Sequence, residues 1–381
     1  PVSLENRVLT YQKDRWFDGS RIAWLDLLQH LDAIRDEPGA AGIALDLSDF
    51  RGRPSLVWEL RGKLEELRAA GKQIHVHANR LDMSGLYLAS AADEITLDPQ
   101  GGLMVPGLAL HRTYLRGALE KLGLGAEEWR YFSHKTAFQS YSRADMSDAD
   151  REQLGRLVDV IYETWRAGIC EGRRLTPQAF DAVVDGEVLL LPARAQELGL
   201  VDRLGRWPDL VERLDEQDAL RIGPLPGGSE RRVFPDERWG RPPEIAIVYA
   251  VGECAMDAGI RGRATGKHLR GLAKRGDVAA VVLRADSPGG DPLPSDLVAD
   301  GTRELKEKGK PVVVSQGDVA ASGGYWISMD GSRVLTTPFT ITGSIGVIAG
   351  WIWDDGFSKK FGLTADGVQR GAHADLFTGV R

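Results

Sequence analysis

One serine of this chain is set among residues that would let it react. In Asp318-Val-Ala-Ala-Ser-Gly-Gly-Tyr-Trp-Ile-Ser328, Ser322 is flanked by two alanines and two glycines, just after the strand-like run Pro311-Val-Val-Val-Ser315. Small neighbours let a substrate carbonyl approach the hydroxyl, but a serine hydroxyl at neutral pH is a weak nucleophile and needs a base. Histidine is the usual base, and none lies between Ser322 and His373. Upstream, the glycines of Asp286-Ser-Pro-Gly-Gly290 leave backbone N–H groups bare, as a hole for a developing oxyanion requires. Gly323 adds another unhindered N–H beside Ser322. Taken alone, a serine among Ala and Gly is most often a packing residue, so its surroundings must decide.

Comparing the chain with itself brings a base into view. Leu67-Arg-Ala-Ala-Gly-Lys72 matches Leu305-Lys-Glu-Lys-Gly-Lys310 at an offset of 238, which also carries Gly52 onto Gly290, Ser84-Gly85 onto Ser322-Gly323 and Tyr87 onto Tyr325. After a one-residue slip, Pro99 falls on Pro338 and Gly107-Leu108 on Gly346-Val347; back at 238, Lys135 falls on His373 and Arg143 on Arg381. Two copies of one domain are expected. The first copy keeps Ser84 but replaces Ser287-Pro-Gly-Gly290 with Asp49-Phe-Arg-Gly52, so bulky Phe50 and Arg51 fill the loop and Ser84 reads as structural. The second copy keeps the serine and the loop but not the lysine. Each half thus holds a different part of one machine, with Ser322 as nucleophile and Lys135 as base. A lysine acts as a base only if its pKa falls from about 10.4 toward about 7–8, at roughly 4 kcal/mol. Burial between two packed domains supplies such a fall, because desolvation disfavours the ammonium.

The elements that must hold these groups alternate strand and helix. Ala41-Gly-Ile-Ala-Leu-Asp46 and Val278-Ala-Ala-Val-Val-Leu-Arg284 are short apolar runs bounded by turn residues, as buried parallel strands are. Leu56 to Ala70 and Leu297 to Lys308 have helical apolar spacing; Gln73-Ile-His-Val-His77 and Pro311 to Ser315 are the next strands. This order predicts an α/β fold with parallel-sheet cores and right-handed crossovers. The expected domains are residues 1–220, a Pro/Gly/Arg-rich linker at 221–243, and 244–381. The counterpart of residues 144 to 202 would lie beyond Arg381, so a truncated second copy is expected.

Composition narrows the partners. A net charge of −7 leaves no basic excess to neutralise phosphates, which argues against nucleic acid. Cys170 and Cys254 form neither a metal-ligand spacing nor a disulfide framework, and no cofactor is expected. His75 and His77 share one strand face but lack a third ligand nearby, so a packing pair is the better reading. The longest charge-free run, the twenty residues Val334 to Trp353, is long enough to span a bilayer. Its threonines, glycines and Pro338 make it buried strand and loop instead.

DSPGG, GDVAASGGYW, TGSIGV (Thr342 to Val347) and a pattern of Lys135, Arg143, Met146-Ser147 and Arg151-Glu152 resemble the signal peptide peptidase A family in its two-repeat form. Tyr87-Leu-Ala-Ser-Ala-Ala-Asp93 and Leu198-Gly-Leu-Val-Asp202 fit too, and the resemblance covers nearly the whole chain. It implies tandem Clp/crotonase-like domains and a membrane-associated, extracytoplasmic homotetramer that cuts hydrophobic peptides such as released signal peptides. It further implies a Ser322–Lys135 dyad, Ser344 orienting the lysine amine, and an oxyanion hole from the Gly290 and Gly323 N–H groups. The chain departs from the family pattern at Ser133, where glycine is usual, and at Gln139-Ser-Tyr141, where Glu-Pro-Phe is usual. Two other readings compete: a crotonase-type acyl-CoA enzyme, which has no use for Ser322, and a non-catalytic peptide-binding scaffold.

Overall fold

A computed structural model describes residues 1–12, 18–216 and 242–375. The expected linker at 221–243 therefore lies almost wholly outside the described residues, as does Arg381. The first repeat contributes β1 (Val2–Ser3), β2 (Val8–Thr10), β3 (Arg21–Ala23), β4 (Gly42–Asp46), β5 (Arg51–Gly52), β6 (Gln73–Leu81), β7 (Glu94–Met104), β8 (Leu124–Arg130), β9 (Leu189–Leu190) and β10 (Arg203–Leu204). The second contributes β11 (Glu244–Val251), β12 (Val278–Ser287), β13 (Val312–Ala321), β14 (Arg333–Leu335), β15 (Ile341–Gly343) and β16 (Ile348–Asp354).

The parallel α/β expectation holds. One sheet runs β1-β4-β6-β7-β10, all parallel, with β9 antiparallel on β7; the other runs β11-β12-β13-β14, with β15 also parallel on β13. Central strands such as β4 and β12 are apolar on both faces because helices cover both sides of a parallel sheet. Between them run crossover helices such as Pro54–Ala69 and Pro292–Glu307, each opened by a proline whose missing N–H a first helical turn tolerates. Both sheets carry a register break near the carboxyl ends of their strands: in the β6–β7 pairing between Ala78 and Arg80, and in the β12–β13 pairing between Ala285 and Ser287.

Among the contacts that join the repeats, one is apolar and one is strand-paired. Phe339 of the second is buried in the first repeat's core, 5.7 Å from the ring of Tyr87 and 6.0 Å from that of Trp165. The other is an antiparallel ribbon of β8 with β16, in register from Ile348↔Arg130 to Asp354↔Leu124. The charge-free run is strand and loop, as its composition predicts, but it is not buried. Phe339 is its one buried residue; the rest, in β14, β15, β16 and the loops between them, is exposed or half-buried. None of the described helices is long and apolar enough to cross a membrane.

Candidate active site

β13 ends at Ala321, and the chain turns sharply into the helix Gly323–Met329. Ser322 makes the turn with φ 55° and ψ −117°, a left-handed conformation costly for a residue with a Cβ. Its N–H donates to the Gly343 carbonyl at 2.9 Å, and its carbonyl accepts from Trp326 N at 3.0 Å. The backbone is thereby fixed while the half-buried hydroxyl makes no hydrogen bond to any described residue.

The Gly-Gly loop lies against this turn. Gly289 (φ 102°) and Gly290 (φ 143°) occupy backbone conformations that side chains rarely adopt, and a Cβ on Gly289 would stand 2.6 Å from the Ser322 Cβ. Cys254 braces the loop from behind: its N–H donates to the Gly289 carbonyl at 2.8 Å, and its carbonyl accepts from Asp291 N at 2.9 Å. Gly289 N–H is taken by Ser287 Oγ at 3.2 Å. Among the described residues, the N–H groups of Gly290 and Gly323 have no acceptor.

The first repeat differs at this point. Gly85, the counterpart of Gly323, donates its N–H to Asp82 Oδ1 at 2.7 Å, an N-terminal cap of the helix Met83–Ala89. The donor that stays open in the second repeat is closed in the first, beyond the loss already visible at Phe50 and Arg51.

Lys135 arrives by way of the ribbon. β8 delivers the chain to the loop that starts at Tyr131, and β16 emerges from the loop that carries Ser344, so their pairing sets the two loops side by side. Lys135 is 4% exposed. Its Nζ donates to Ser344 Oγ at 3.0 Å and to the Ser344 carbonyl. Burial pushes its pKa below the ordinary lysine value. Ser344 follows Gly343, whose carbonyl holds the Ser322 N–H, so lysine and serine are anchored on consecutive residues of one turn. No hydrogen bond joins Lys135 Nζ to Ser322 Oγ directly.

What seats the lysine loop escaped the sequence reading. Thr136 Oγ1 donates to Asp150 Oδ1 at 2.7 Å, and Arg112 pairs with Asp150 at 2.9 Å. Burial raises the carboxyl pKa of Asp150, but hydrogen bonds from Thr136 and Gln153 and the Arg112 charge outweigh it and hold it below the usual range. Gln139, which departs from the family pattern, is fully buried, with its side chain 2.9 Å from Ser147 Oγ. Both anchors sit at the start of the helix Asp148–Arg173, which Ser147 caps. The Ser147-x-x-Asp150 spacing was the available signal, since a capping serine marks a helix start. Elsewhere, His77 Nδ1 lies 3.1 Å from Asp46 Oδ1 under the ring of Trp207, and His75 faces Glu94 at 3.8 Å.

The model of peptidase family S49 matches residues 66–221 and 304–381. Protease 4 of Haemophilus influenzae is 31% identical over 373 residues, spanning 91% of this chain and 60% of that protein. Protease 4 of Salmonella typhi is 30% identical over 92% of this chain and 59% of its own length. The chloroplastic serine protease SPPA of Arabidopsis thaliana is 27% identical over 98% and 57% respectively. The chain thus spans about three fifths of the length of these relatives. With matches over most of its length and in both repeats, the chain belongs to peptidase family S49.

Proposed function

We propose that this chain is a serine endopeptidase with a Ser322–Lys135 dyad, acting on hydrophobic peptides such as released signal peptides. The observation that carries the reading is the buried Lys135 amine, bonded to Ser344 one residue from the carbonyl that holds Ser322 N–H. Burial favours the neutral amine that a base must be. In the reaction, Lys135 Nζ takes the Ser322 proton as Oγ attacks the scissile carbonyl. The Gly290 and Gly323 N–H groups receive the oxyanion. Collapse of the tetrahedral adduct passes the proton to the leaving amine and leaves an acyl-enzyme. Water, deprotonated by Lys135, then releases the acid and restores Ser322. Catalytic hydrogen bonds often tighten only when substrate binds, so the Nζ–Oγ bond is assigned to the Michaelis complex. Exposed Tyr131, Phe132, Ile345 and Val347 border the lysine and favour apolar substrates. Protease names among the relatives support peptide hydrolysis over acyl-CoA chemistry or a scaffold role. Ser322→Ala and Lys135→Ala each abolish cleavage of a fluorogenic hydrophobic peptide and leave the protein folded; full activity in Lys135→Ala would sink the dyad.

The same reading places the protein at a membrane surface on the extracytoplasmic side and assembles it as a homotetramer. The repeat supports self-assembly. The helices Arg116–Leu122 and Phe357–Phe361 are counterparts, each ending on a left-handed glycine, Gly123 and Gly362. Within the chain, the segment after the first helix (β8) pairs with the segment before the second (β16). The remaining two segments, 109–115 and 363–369, form no strand and expose Leu110, Leu115, Leu363 and Val368. Pairing 363–369 with 109–115 of another copy, in the ribbon's own register, repeats the contact head to tail, the arrangement that closes rings.

A further inference from the structure

We infer that Asp286 is a positioning residue that ties the oxyanion loop to the seating of the first repeat; this rests on the peptidase reading above. Asp286 is 5% exposed and opens the loop that carries Gly289 and Gly290. It stands at the register break where β13 runs from Gln316 to Ala320 while β12 runs from Ala285 to Ser287. Its Oδ1 accepts from Val319 N at 3.2 Å, so one carboxylate oxygen bridges the strand end that leads to the loop and the strand end that leads to Ser322. Its Oδ2 accepts from Tyr11 OH at 2.8 Å and pairs with Arg53, both residues of the first repeat.

The surrounding groups leave that carboxylate little freedom. Gly317 makes room for the cluster, since a Cβ there would meet Tyr11 Oη at 2.4 Å and the Asp286 Cγ at 2.7 Å. Arg284, two residues before Asp286, reaches Glu59 at 2.8 Å and Ser315 Oγ at 2.7 Å, and its guanidinium lies 4.7 Å from the Tyr11 ring centre. Asp318 accepts from Ser55 N at 2.8 Å, at the start of the helix Pro54–Ala69. The first repeat's counterpart of Asp286 is Ser48, whose Oγ accepts from Asn79 N at 3.0 Å. That position therefore ties two strand ends together in both repeats. Only in the second does it carry a charge that also grips the other repeat. The repeat that delivers Lys135 thereby also holds the loop that supplies the oxyanion donors, and nucleophile, hole and base are set by one docking event.

Asp286→Asn tests this, because it keeps the shape and an acceptor for Val319 N while removing the charge that Arg53 grips. With a fluorogenic peptide, kcat falls about ten- to a hundredfold at nearly unchanged KM, as a misplaced catalytic group demands. Arg53→Gln gives the same loss, and the double variant loses no more than either single one. Amide exchange across residues 287–291 and 318–323 speeds up in Asp286→Asn, a readout that needs no peptidase activity. Tyr11→Phe, which removes one hydroxyl, gives a weaker effect in the same direction should Asp286→Asn fold poorly. Wild-type kcat with unchanged exchange in the loop overturns the inference. Faster exchange in Asp286→Asn, when the wild-type protein itself cleaves no peptide, refutes the peptidase reading and leaves the clamp standing.

Discussion

Gly289→Ala puts the geometry of the site under the most direct strain. The new methyl would sit 2.6 Å from the Ser322 Cβ, 2.8 Å from Gly323 N and 2.9 Å from the Ala321 carbonyl oxygen, where carbon atoms in contact sit at about 3.5–4.0 Å. Loop and serine must therefore separate by about 1 Å, and none of the three obstacles is the free end of a flexible side chain. Displacement by that amount costs a reaction roughly a hundredfold in rate, equal to about 2.7 kcal/mol of transition-state stabilisation. Forcing an alanine to φ 102° adds about 1–3 kcal/mol of strain to the folded state. The expected result is a folded protein with a lowered melting temperature and kcat/KM down at least about a hundredfold on a hydrophobic fluorogenic peptide. Gly271→Ala is the control: a Cβ there meets nothing within 4 Å, and alanine in a helix stabilises by about 0.5–1 kcal/mol over glycine. If Gly289→Ala keeps activity within about threefold of wild type, the loop does not form the oxyanion hole beside Ser322.

Lys135→Met should abolish cleavage and yet stabilise the protein. Because burial lowers the folded-state pKa of Lys135, the unfolded chain holds a proton that the folded chain releases between the two values. Wild-type stability thus rises with pH across that window, and below it the buried ammonium costs about 1.36 kcal/mol for each pH unit between the folded and unfolded pKa. The melting temperature of Lys135→Met exceeds that of wild type near neutral pH, and the gap closes as pH approaches the ordinary lysine pKa of about 10.4; a less stable variant refutes the burial argument. The wild-type rate rises with pH to a plateau through an apparent pKa below that of free lysine, and a flat profile refutes lysine as base. Val368→Asp, at a side chain 97% exposed in the single chain, shifts the sedimentation of the assembled protein toward the monomer; unchanged sedimentation removes segment 363–369 from the interface.

What could be read from sequence followed from how local each cause is. Duplication shows as a constant offset, and the glycines of the proposed oxyanion loop are marked because only glycine fits their backbone. The complementary losses, of loop in one copy and lysine in the other, are visible for the same reason. β8 left no such mark: Glu127, Glu128 and Arg130 break any apolar alternation, and its pairing partner lies more than two hundred residues away. The polar cluster at the joint is equally silent, since Tyr11 and Asp286 meet only once both repeats are folded. The apolar run at 334–353 misled because burial was inferred from composition. An apolar edge left open within one chain is what a surface awaiting another chain looks like. The capped N–H of Gly85 was legible, since an aspartate three residues ahead of it is a helix-start signal.

On the proposed reading, splitting base and nucleophile between repeats has an energetic consequence. Burial that lowers the pKa of Lys135 costs stability at every pH below its unfolded pKa, so a single domain that buried it would be penalised whether or not it reacts. Here the cost falls due only where β8 meets β16 and the Ser344 turn closes over the amine. The contacts that offset it, the ribbon, Phe339 in the first core and the Tyr11–Arg53–Asp286 cluster, are the same ones that align the serine turn and its loop. If the dyad is as proposed, the reactive state and the docked state coincide. On that reading, undocking would return the Lys135 pKa toward its ordinary value and free the Asp286 end of the Gly289–Gly290 loop together. Loosening the joint should therefore lower kcat and raise the apparent pKa of the base together, whereas damage confined to the serine turn should lower kcat alone.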